Sequence, residues 1–324
     1  GRVRRAGLER KRHRPASSKK YPVGSTRLRA MTAAISPHTS SRLWLPRSTL
    51  SACLRAVMTR TTVGADLSVA QRYNHFPATP LCSLALWWQG CGQVLPPDSP
   101  SSSAPPVSST ALPRLLLAGP STRPAVSWNP GPIRAVMVLI QPDALHRLTG
   151  LDVADWVNRW DDARAVLPAD WLALCQSLLD DADADDATHV KRLQDFLEPR
   201  WQAVRPGWPM QAQRYGDWAQ SLALHAALSA PGRSLRQMER RIKRWAGLPL
   251  RELRGLGRSE QAFFNTLAAT ENGPPNWAEL ADASGYADQS HLCRATRRVT
   301  GFSPDELYRR ILADESFWGY RLWQ

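Results

Sequence analysis

The fold of the C-terminal third is decided by residues Asn276–Pro304, which read NWAELADASGYADQSHLCRATRRVTGFSP. Asn276 and Asp288 are residue types that cap helix N-termini, and each precedes a run with helical spacing. Gly285 and Gly301 follow those runs, where glycine readily adopts the positive φ that ends a helix. Two capped helices joined by a short turn predict a helix–turn–helix unit.

The second helix of this unit is predicted to have an apolar side and a polar side. Leu292 and Val299 fall on the inward side when the residues are placed at helical spacing. The remaining candidates are polar or cationic, which is typical of a helix that enters a major groove. They are Gln289, Ser290, His291, Arg294, Arg297 and Arg298.

An earlier segment, Ser234–Gly247, repeats this plan, with Ser234 and Gln237 forming a capping box. Its predicted inward side consists of Leu235, Met238, Ile242 and Trp245. The opposite side suits a groove flanked by phosphates, because Arg pairs bidentately with guanine and Gln with adenine. Its members are Arg236, Gln237, Arg240, Lys243 and Arg244. Taken alone, the segment is equally consistent with an ordinary surface helix whose polar side is solvated.

The run from Gly285 to Pro304 resembles the signature of AraC/XylS-type transcription regulators. That signature joins a Gly-aromatic-x-Asp-Gln-Ser opening to a basic residue and a Thr-Gly-x-x-Pro exit. The resemblance covers about the last hundred residues and implies two helix–turn–helix units joined by a long helix, here from Leu250 to Ala269. Glu260 interrupts the apolar stripe of this joining helix. By position, the resemblance implies that the residues approaching bases are Arg236, Gln237, Arg240, Ser290, His291 and Arg294.

Two features depart from the family pattern. Thr296 stands where the family usually has an aromatic residue, so we expect a thinner inward side on the second recognition helix. The first unit has a longer turn, at residues 229–233, which is expected to alter its docking angle. Both departures concern the strength of DNA binding.

Net charge alone is a poor guide to the partner. The 324 residues include 42 Lys and Arg against 28 Asp and Glu, a formal net charge of +14. Residues 1–30 hold eleven of these bases and one acid, in a leader without apolar periodicity. The leader is interpreted as a nucleic-acid arm or nuclear signal, as a transit peptide, or as a segment foreign to a native protein that starts at Met31 or Met58. The third interpretation is favoured.

Residues 71–205 are predicted to form a β-rich and then helical domain for sensing and dimerisation. Apolar runs such as Leu84–Trp88, bounded by Gly, Pro and Ser clusters, indicate strands. Regulators that the chain resembles often carry a cupin-like domain in this place. Trp87, Trp88 and Trp128 are candidates either for an apolar ligand pocket or for the hydrophobic core, where such residues more often lie.

Catalytic and metal-dependent functions find no supporting motif. A cupin metal site needs clustered His and Glu, whereas His75 and His146 are far apart in the β-rich segment. The sequence contains no Gly-x-Ser-x-Gly elbow, phosphate-cradling glycine loop or His-Glu-x-x-His motif. The five cysteines are scattered, which predicts a reducing compartment. We therefore predict a protein that is not an enzyme and has no metal or cofactor.

The predicted fold class is α+β, with a β-rich, cupin-like sensing domain followed by an all-α domain with two helix–turn–helix units. The predicted boundaries are 1–70 for a basic, disordered leader, 71–205 for the sensing domain, 213–312 for the DNA-binding domain and 313–324 for a tail. The predicted function is sequence-specific DNA-binding transcription regulation in the cytoplasm. The alternative is a ligand-binding or protein-interaction module whose helix–turn–helix units do not bind DNA. Beside double-stranded DNA, the candidate partners are RNA polymerase, a small-molecule effector and a second copy of the chain. No membrane is predicted as a partner.

Overall fold

The structure is a computed structural model that describes residues 39–97, 99, 103–207, 214–229, 234–270 and 275–323. Within these ranges the strands are β1 (Ser40–Trp44), β2 (Leu54–Thr61), β3 (Tyr73–Phe76), β4 (Cys82–Gln89), β5 (Gln93–Val94), β6 (Thr110–Ala111), β7 (Leu115–Ala118), β8 (Ala125–Trp128), β9 (Arg134–Ile140) and β10 (Trp160–Asp162). The α-helices are α1 (Pro142–Thr149), α2 (Ala169–Asp180), α3 (Asp186–Val204), α4 (Tyr215–Leu228), α5 (Leu235–Ala246), α6 (Leu250–Ala269), α7 (Trp277–Ala283), α8 (Gln289–Thr300), α9 (Pro304–Ala313) and α10 (Trp318–Arg321).

The strands form two antiparallel sheets. The larger sheet has the order β1-β2-β9-β4-β7-β10, and the smaller has the order β3-β8-β5-β6. The strands lie in the N-terminal part of the chain, helices α1 to α3 pack on one side of them, and the C-terminal part is helical. This separation of strands and helices makes the chain an α+β protein. The predicted fold class, a β-rich N-terminal part followed by a helical part with two helix–turn–helix units, is confirmed.

Strand β4 shows how alternation divides the larger sheet into two faces. Leu84, Leu86 and Trp88 point into a core shared with α1, α2 and α3. Ala85 and Trp87 point the other way, into a separate apolar cluster. Because successive strand residues face opposite sides, one strand serves both layers. The helices therefore cover one face of the sheet and leave the other free for the C-terminal part.

The prediction of a disordered leader over residues 1–70 is wrong for its second part. β1 and β2 lie in this range, and β2 pairs with β9 in the interior of the larger sheet. Val57 and Met58 are buried there. The basic composition that suggested disorder belongs to residues 1–30, which lie outside the described residues. The basic composition of residues 1–30 therefore does not extend to Leu54–Met58, which is mainly apolar.

The C-terminal helices share a second core with the N-terminal part. Trp218 and Leu222 of α4, Ile242 of α5 and Leu253 of α6 are fully buried together. Gly257 permits the close crossing of α6 and α4, because a Cβ there would lie 2.9 Å from the backbone nitrogen of Gly216. No helix within the described residues is long and apolar enough to cross a lipid bilayer.

Asp143 on α1 offers a test of the contact between the two parts. Its buried carboxylate accepts a hydrogen bond from Trp218 Nε1 on α4 at 2.9 Å. Burial raises the pKa of this carboxyl, and the Trp218 hydrogen bond and the Arg147 charge offset part of the rise. Because the folded-state pKa lies above the unfolded one, ionisation costs stability as the pH rises past about 4. We expect Asp143→Asn to raise the unfolding free energy more at about pH 7 than at about pH 4, measured by urea unfolding.

Asp155→Asn is the matched control, because Asp155 is exposed and we expect no change at either pH. If Asp143→Asn were less stable than the wild type at about pH 7, Asp143 would be ionised and stabilised by Arg147, which contradicts the prediction.

Candidate nucleic-acid interface

Helix α5 forms the exposed element of the first unit. Ser234 caps it, since its Oγ accepts a hydrogen bond from the Gln237 N–H at 3.3 Å. Gly247 ends it with a φ of 76°. Both ends therefore lie where the sequence predicts them. The longer turn predicted before α5 includes residues 230–233, which lie outside the described residues.

The inward side of α5 is only partly as predicted. Ile242 is fully buried and Trp245 is half-buried, whereas Leu235 is 77% exposed. Leu235 occupies the first position of the helix and faces solvent, so its predicted inward packing is wrong. Arg241, which the sequence leaves unassigned, turns back to donate to the Ala226 carbonyl at 2.7 Å and holds the end of α4.

The outward side of α5 presents the predicted cationic residues to solvent. All five are exposed: Arg236, Gln237, Arg240, Lys243 and Arg244. Arg244 also reaches Asp152 at 3.4 Å, a weak pair because both side chains are largely solvated. The structure thus places these residues on one accessible face, and their contact with DNA stays a prediction.

The second unit is built by α7 and α8 with well-defined caps. Asn276 Oδ1 accepts from the Ala278 N–H at 3.1 Å, and Asp288 Oδ1 accepts from the His291 N–H at 2.6 Å. Gly285 and Gly301 have φ values of 72° and 87°. These side-chain caps and glycine ends fix the angle at which α8 leaves the turn.

The outward side of α8 is exposed with one exception. Gln289, Ser290, Arg294, Arg297 and Arg298 are exposed. His291 is half-buried, because its ring packs edge-on against Tyr286 at 5.1 Å. Arg298 Nη1 donates to Glu252 on α6 at 2.8 Å, so its guanidinium is held in place before any partner arrives.

Glu260 has a structural explanation that the sequence did not supply. It accepts hydrogen bonds from Arg55 Nη2 of β2 at 3.0 Å and from the Tyr215 N–H at the start of α4 at 2.6 Å. Burial raises the pKa of this carboxyl, and the Arg55 charge opposes the rise. Glu260 therefore joins α6 to the larger sheet and to α4.

A cavity of about 270 Å³ lies between the larger sheet and the C-terminal helices. Its wall is mainly apolar and includes Trp87, Ile133 and Phe263. Trp87 Nε1 and Tyr320 Oη are buried beside it without a hydrogen-bond partner among the described residues. Of the three tryptophans that the sequence offered for a pocket, Trp87 lines this cavity.

The other two tryptophans serve the core. Trp88 donates from Nε1 to the Leu178 carbonyl at 2.7 Å and stacks on His189 at a centroid distance of 4.4 Å. Trp128 packs against Tyr73 in a small cluster on the second sheet. Because both rings are enclosed by neighbouring side chains, they have a structural role.

The histidines and cysteines of the described ranges form no group that could hold a metal ion. His146 Nδ1 lies 2.7 Å from the Leu151 carbonyl, and His75 stacks on Phe317 at 4.6 Å. Burial raises the pKa of the Cys53 and Cys82 thiols, which keeps them protonated and unreactive.

Sequence reasoning missed the arginines of α6. Arg251, Arg254 and Arg258 are exposed, although the sequence pattern indicates for α6 only that it joins the two helix–turn–helix units. Their spacing of three and four residues is the signal that could have revealed them, because it places all three on one helix face.

No family model matches the chain, and no curated protein matches it. Among solved structures, ToxT from Vibrio cholerae O395 bound to (E)-4-(8-methylnaphthalen-1-yl)but-3-enoic acid is 10% identical, with a TM-score of 0.35 over 85% of this chain and 99% of that chain. Another structure of ToxT from the same strain is 9% identical, with a TM-score of 0.35 over 85% and 98%. Unsaturated fatty acid bound ToxT from strain SCE256 is 10% identical, with a TM-score of 0.30 over 72% and 93%.

Proposed function

We propose that the chain is a sequence-specific DNA-binding transcription regulator that reads two adjacent major-groove segments with α5 and α8. One observation carries this proposal. Both helices are capped, pack by one apolar side and leave a side rich in arginine exposed. The motif resemblance to AraC/XylS-type regulators supports the same function. Residues 213–312 would form the DNA-binding part, with the two helices about 34 Å apart along the DNA.

The exposed residues divide into two groups by their expected DNA contacts. Side chains near the N-terminal end of each helix reach base edges, whereas those further along contact phosphates and hold the register. The first group contains Arg236, Gln237, Arg240, Ser290, His291 and Arg294. The second contains Lys243, Arg244, Arg297 and Arg298, together with Gln289, whose place at the first residue of α8 suits a phosphate at the edge of the groove. Arg298 fits the second group, because its ion pair with Glu252 limits its reach.

Arg294→Ala is expected to weaken binding at the preferred site by about 1–3 kcal/mol. The reason is that a bidentate contact between arginine and guanine is lost at one base pair. Sites selected by the full chain from a random DNA library would supply the preferred duplex. Fluorescence anisotropy with that duplex and with single-base variants would then measure the loss and the position at which preference relaxes.

Arg309→Ala is the matched control, because Arg309 is also an exposed arginine and lies on α9, outside both recognition helices. It should leave affinity and preference unchanged. A loss for Arg294→Ala that is the same for every DNA sequence would instead assign Arg294 to phosphate contact.

The alternative function is a ligand-binding or protein-interaction module, and the cavity of about 270 Å³ is the observation that favours it. A gel-shift with genomic fragments at about 50 mM and about 200 mM salt separates the two functions, because phosphate contacts make DNA binding strongest at low salt. If no fragment is retarded at either salt concentration, the regulator proposal is wrong. A small-molecule screen for thermal stabilisation would then test the cavity, since a ligand that binds only the folded chain raises its unfolding temperature.

A further inference from the structure

Helix α6 exposes a row of arginines that belongs to neither recognition helix. Arg251, Arg254 and Arg258 are all exposed and lie on one face of the helix. The other faces of α6 are occupied, since Leu253 and Leu256 pack in the core with α4. The row therefore lies on the only broad side of α6 that the described residues leave uncovered.

The charge of this row is not balanced by nearby acids. Within the described ranges, no ion pair or hydrogen bond engages the three guanidinium groups. The two acids of α6 are already used: Glu252 accepts from Arg298 at 2.8 Å, and Glu260 accepts from Arg55 at 3.0 Å. The row thus keeps three positive charges along a solvent-facing surface.

A cleft joins this row to α8. Arg258, His291, Arg294 and Arg298 line the cleft, which has a volume of about 210 Å³. Gly255 also lines the cleft, and a Cβ there would lie 3.1 Å from Arg298 Nη2. Arginines of α6 and α8 therefore form one continuous cationic surface.

The dimensions of the row match a DNA strand. Seven residues of α-helix separate Arg251 from Arg258, a rise of about 10 Å. A strand of B-DNA presents one phosphate per about 3.4 Å of axis, or about three phosphates over that length. The row therefore has one arginine for each of the about three phosphates that a DNA strand presents over this length.

We propose that α6 is itself a DNA-contacting element, whose Arg251, Arg254 and Arg258 bind the sugar–phosphate backbone between the two groove segments. This inference rests on the proposed function and deepens it. The contacts carry no sequence information, because every phosphate is alike. They would add the same affinity for any duplex.

The test uses the full chain with the triple substitution Arg251→Gln/Arg254→Gln/Arg258→Gln. Anisotropy titrations with a selected duplex and an unrelated duplex are recorded across a range of salt concentrations. The slope of log affinity against log salt should become shallower by roughly 0.9 for each lost phosphate contact, or roughly 2–3 in all. Both duplexes should be weakened by the same factor, and the circular dichroism of the variant should match that of the wild type.

The matched control is Arg164→Gln/Lys191→Gln/Arg192→Gln, which removes the same charge from exposed positions of the N-terminal part. A slope change no larger than that of the control overturns the inference. A larger loss on the selected duplex than on the unrelated one also overturns it, because it would show base reading. If the α6 triple variant binds normally while Arg294→Ala does not, the proposed function stands alone. If the wild type binds neither duplex, the proposed function is wrong, and this inference, which rests on it, is wrong too.

Discussion

Glu315→Ala is expected to lower the unfolding free energy of the chain by about 3–5 kcal/mol. Glu315 is 1% exposed in its side chain and accepts hydrogen bonds from Arg60 Nη2 and Arg321 Nη2, each at 3.0 Å. Alanine leaves the buried Arg60 guanidinium without its carboxylate and removes the carboxylate partner of the partly buried Arg321. Removing one partner of a buried ion pair costs far more than the pair contributes, because the remaining charge cannot recover its hydration.

The remaining contacts of Arg60, with the Ser41 hydroxyl at 2.8 Å and with the Trp318 ring, carry no negative charge that could replace the carboxylate. Burial lowers the pKa of the Arg60 guanidinium, and the Glu315 charge opposes this effect. The guanidinium also lies 4.6 Å from the Trp318 ring, and Trp318 Nε1 donates to Asn74 at 2.8 Å. These contacts join the C-terminal segment to β2 and β3, so the substitution should also detach the tail from the sheets.

Urea unfolding of the full chain measures the effect, and Asp305→Ala is the matched control. Asp305 pairs with Arg309 on the surface of α9, where both side chains are more than half exposed, so we expect a loss of about 0.5 kcal/mol or less. Adding Arg60→Met to Glu315→Ala should recover part of the stability, because it removes one of the orphaned charges. A loss for Glu315→Ala as small as that of the control would show that water solvates the two arginines.

The features predicted well from sequence are those set by neighbouring residues. The bounds of α6, the Ser234 and Asp288 caps and the glycine ends at Gly247 and Gly301 depend on residues within one helical turn. A local pattern therefore specified both helix–turn–helix units. The outward faces of α5 and α8 also follow from helical spacing, whereas the partner that these faces contact does not.

The features missed depend on residues far apart in sequence. Glu260 interrupts an apolar stripe, and its partner Arg55 lies 205 residues away on a strand of the other part. The tail was predicted only as a terminal segment, yet Glu315 finds its partner Arg60 across 255 residues. Single-sequence periodicity holds no information on such pairs. The prediction that Leu235 packs inward is wrong for a related reason, because its exposure depends on what lies beside the first turn of α5.

Acidification from pH 6.5 to about 4 is expected to destabilise the contacts between the N-terminal part and the C-terminal helices through two buried histidines. Burial lowers the pKa of His75 to about 4, and the Arg310 charge adds to this effect. Burial likewise lowers the pKa of His225 to about 4, with the Arg147 charge adding to it. Each folded-state pKa lies below the unfolded value of about 6.5, so the fold favours the neutral ring. The resulting stability is complete above pH 6.5 and is lost as the pH falls through that window.

The locations of the two rings explain why this loss should concentrate at these contacts. His75 of β3 stacks on Phe317 at 4.6 Å, and His225 of α4 stacks on Trp245 at 4.7 Å beside Arg147 of α1. A proton on either ring places a charge among apolar or cationic neighbours. A shift of this size is worth about 3 kcal/mol for each ring, since one pKa unit corresponds to about 1.4 kcal/mol.

His75→Phe and His225→Phe separate this mechanism from general acid unfolding. Phenylalanine keeps an aromatic ring in the stack and cannot take up a proton, so each variant should lose less stability than the wild type between pH 6.5 and about 4. Urea unfolding across this range measures the difference, and hydrogen exchange of β3 and α4 locates it. Asp143 acts with the opposite sign, because its raised pKa favours the folded state at low pH, and the Asp143→Asn background removes that contribution. Parallel pH profiles for the wild type and both phenylalanine variants would contradict the prediction, because they would show that the two rings titrate alike in the folded and unfolded chains.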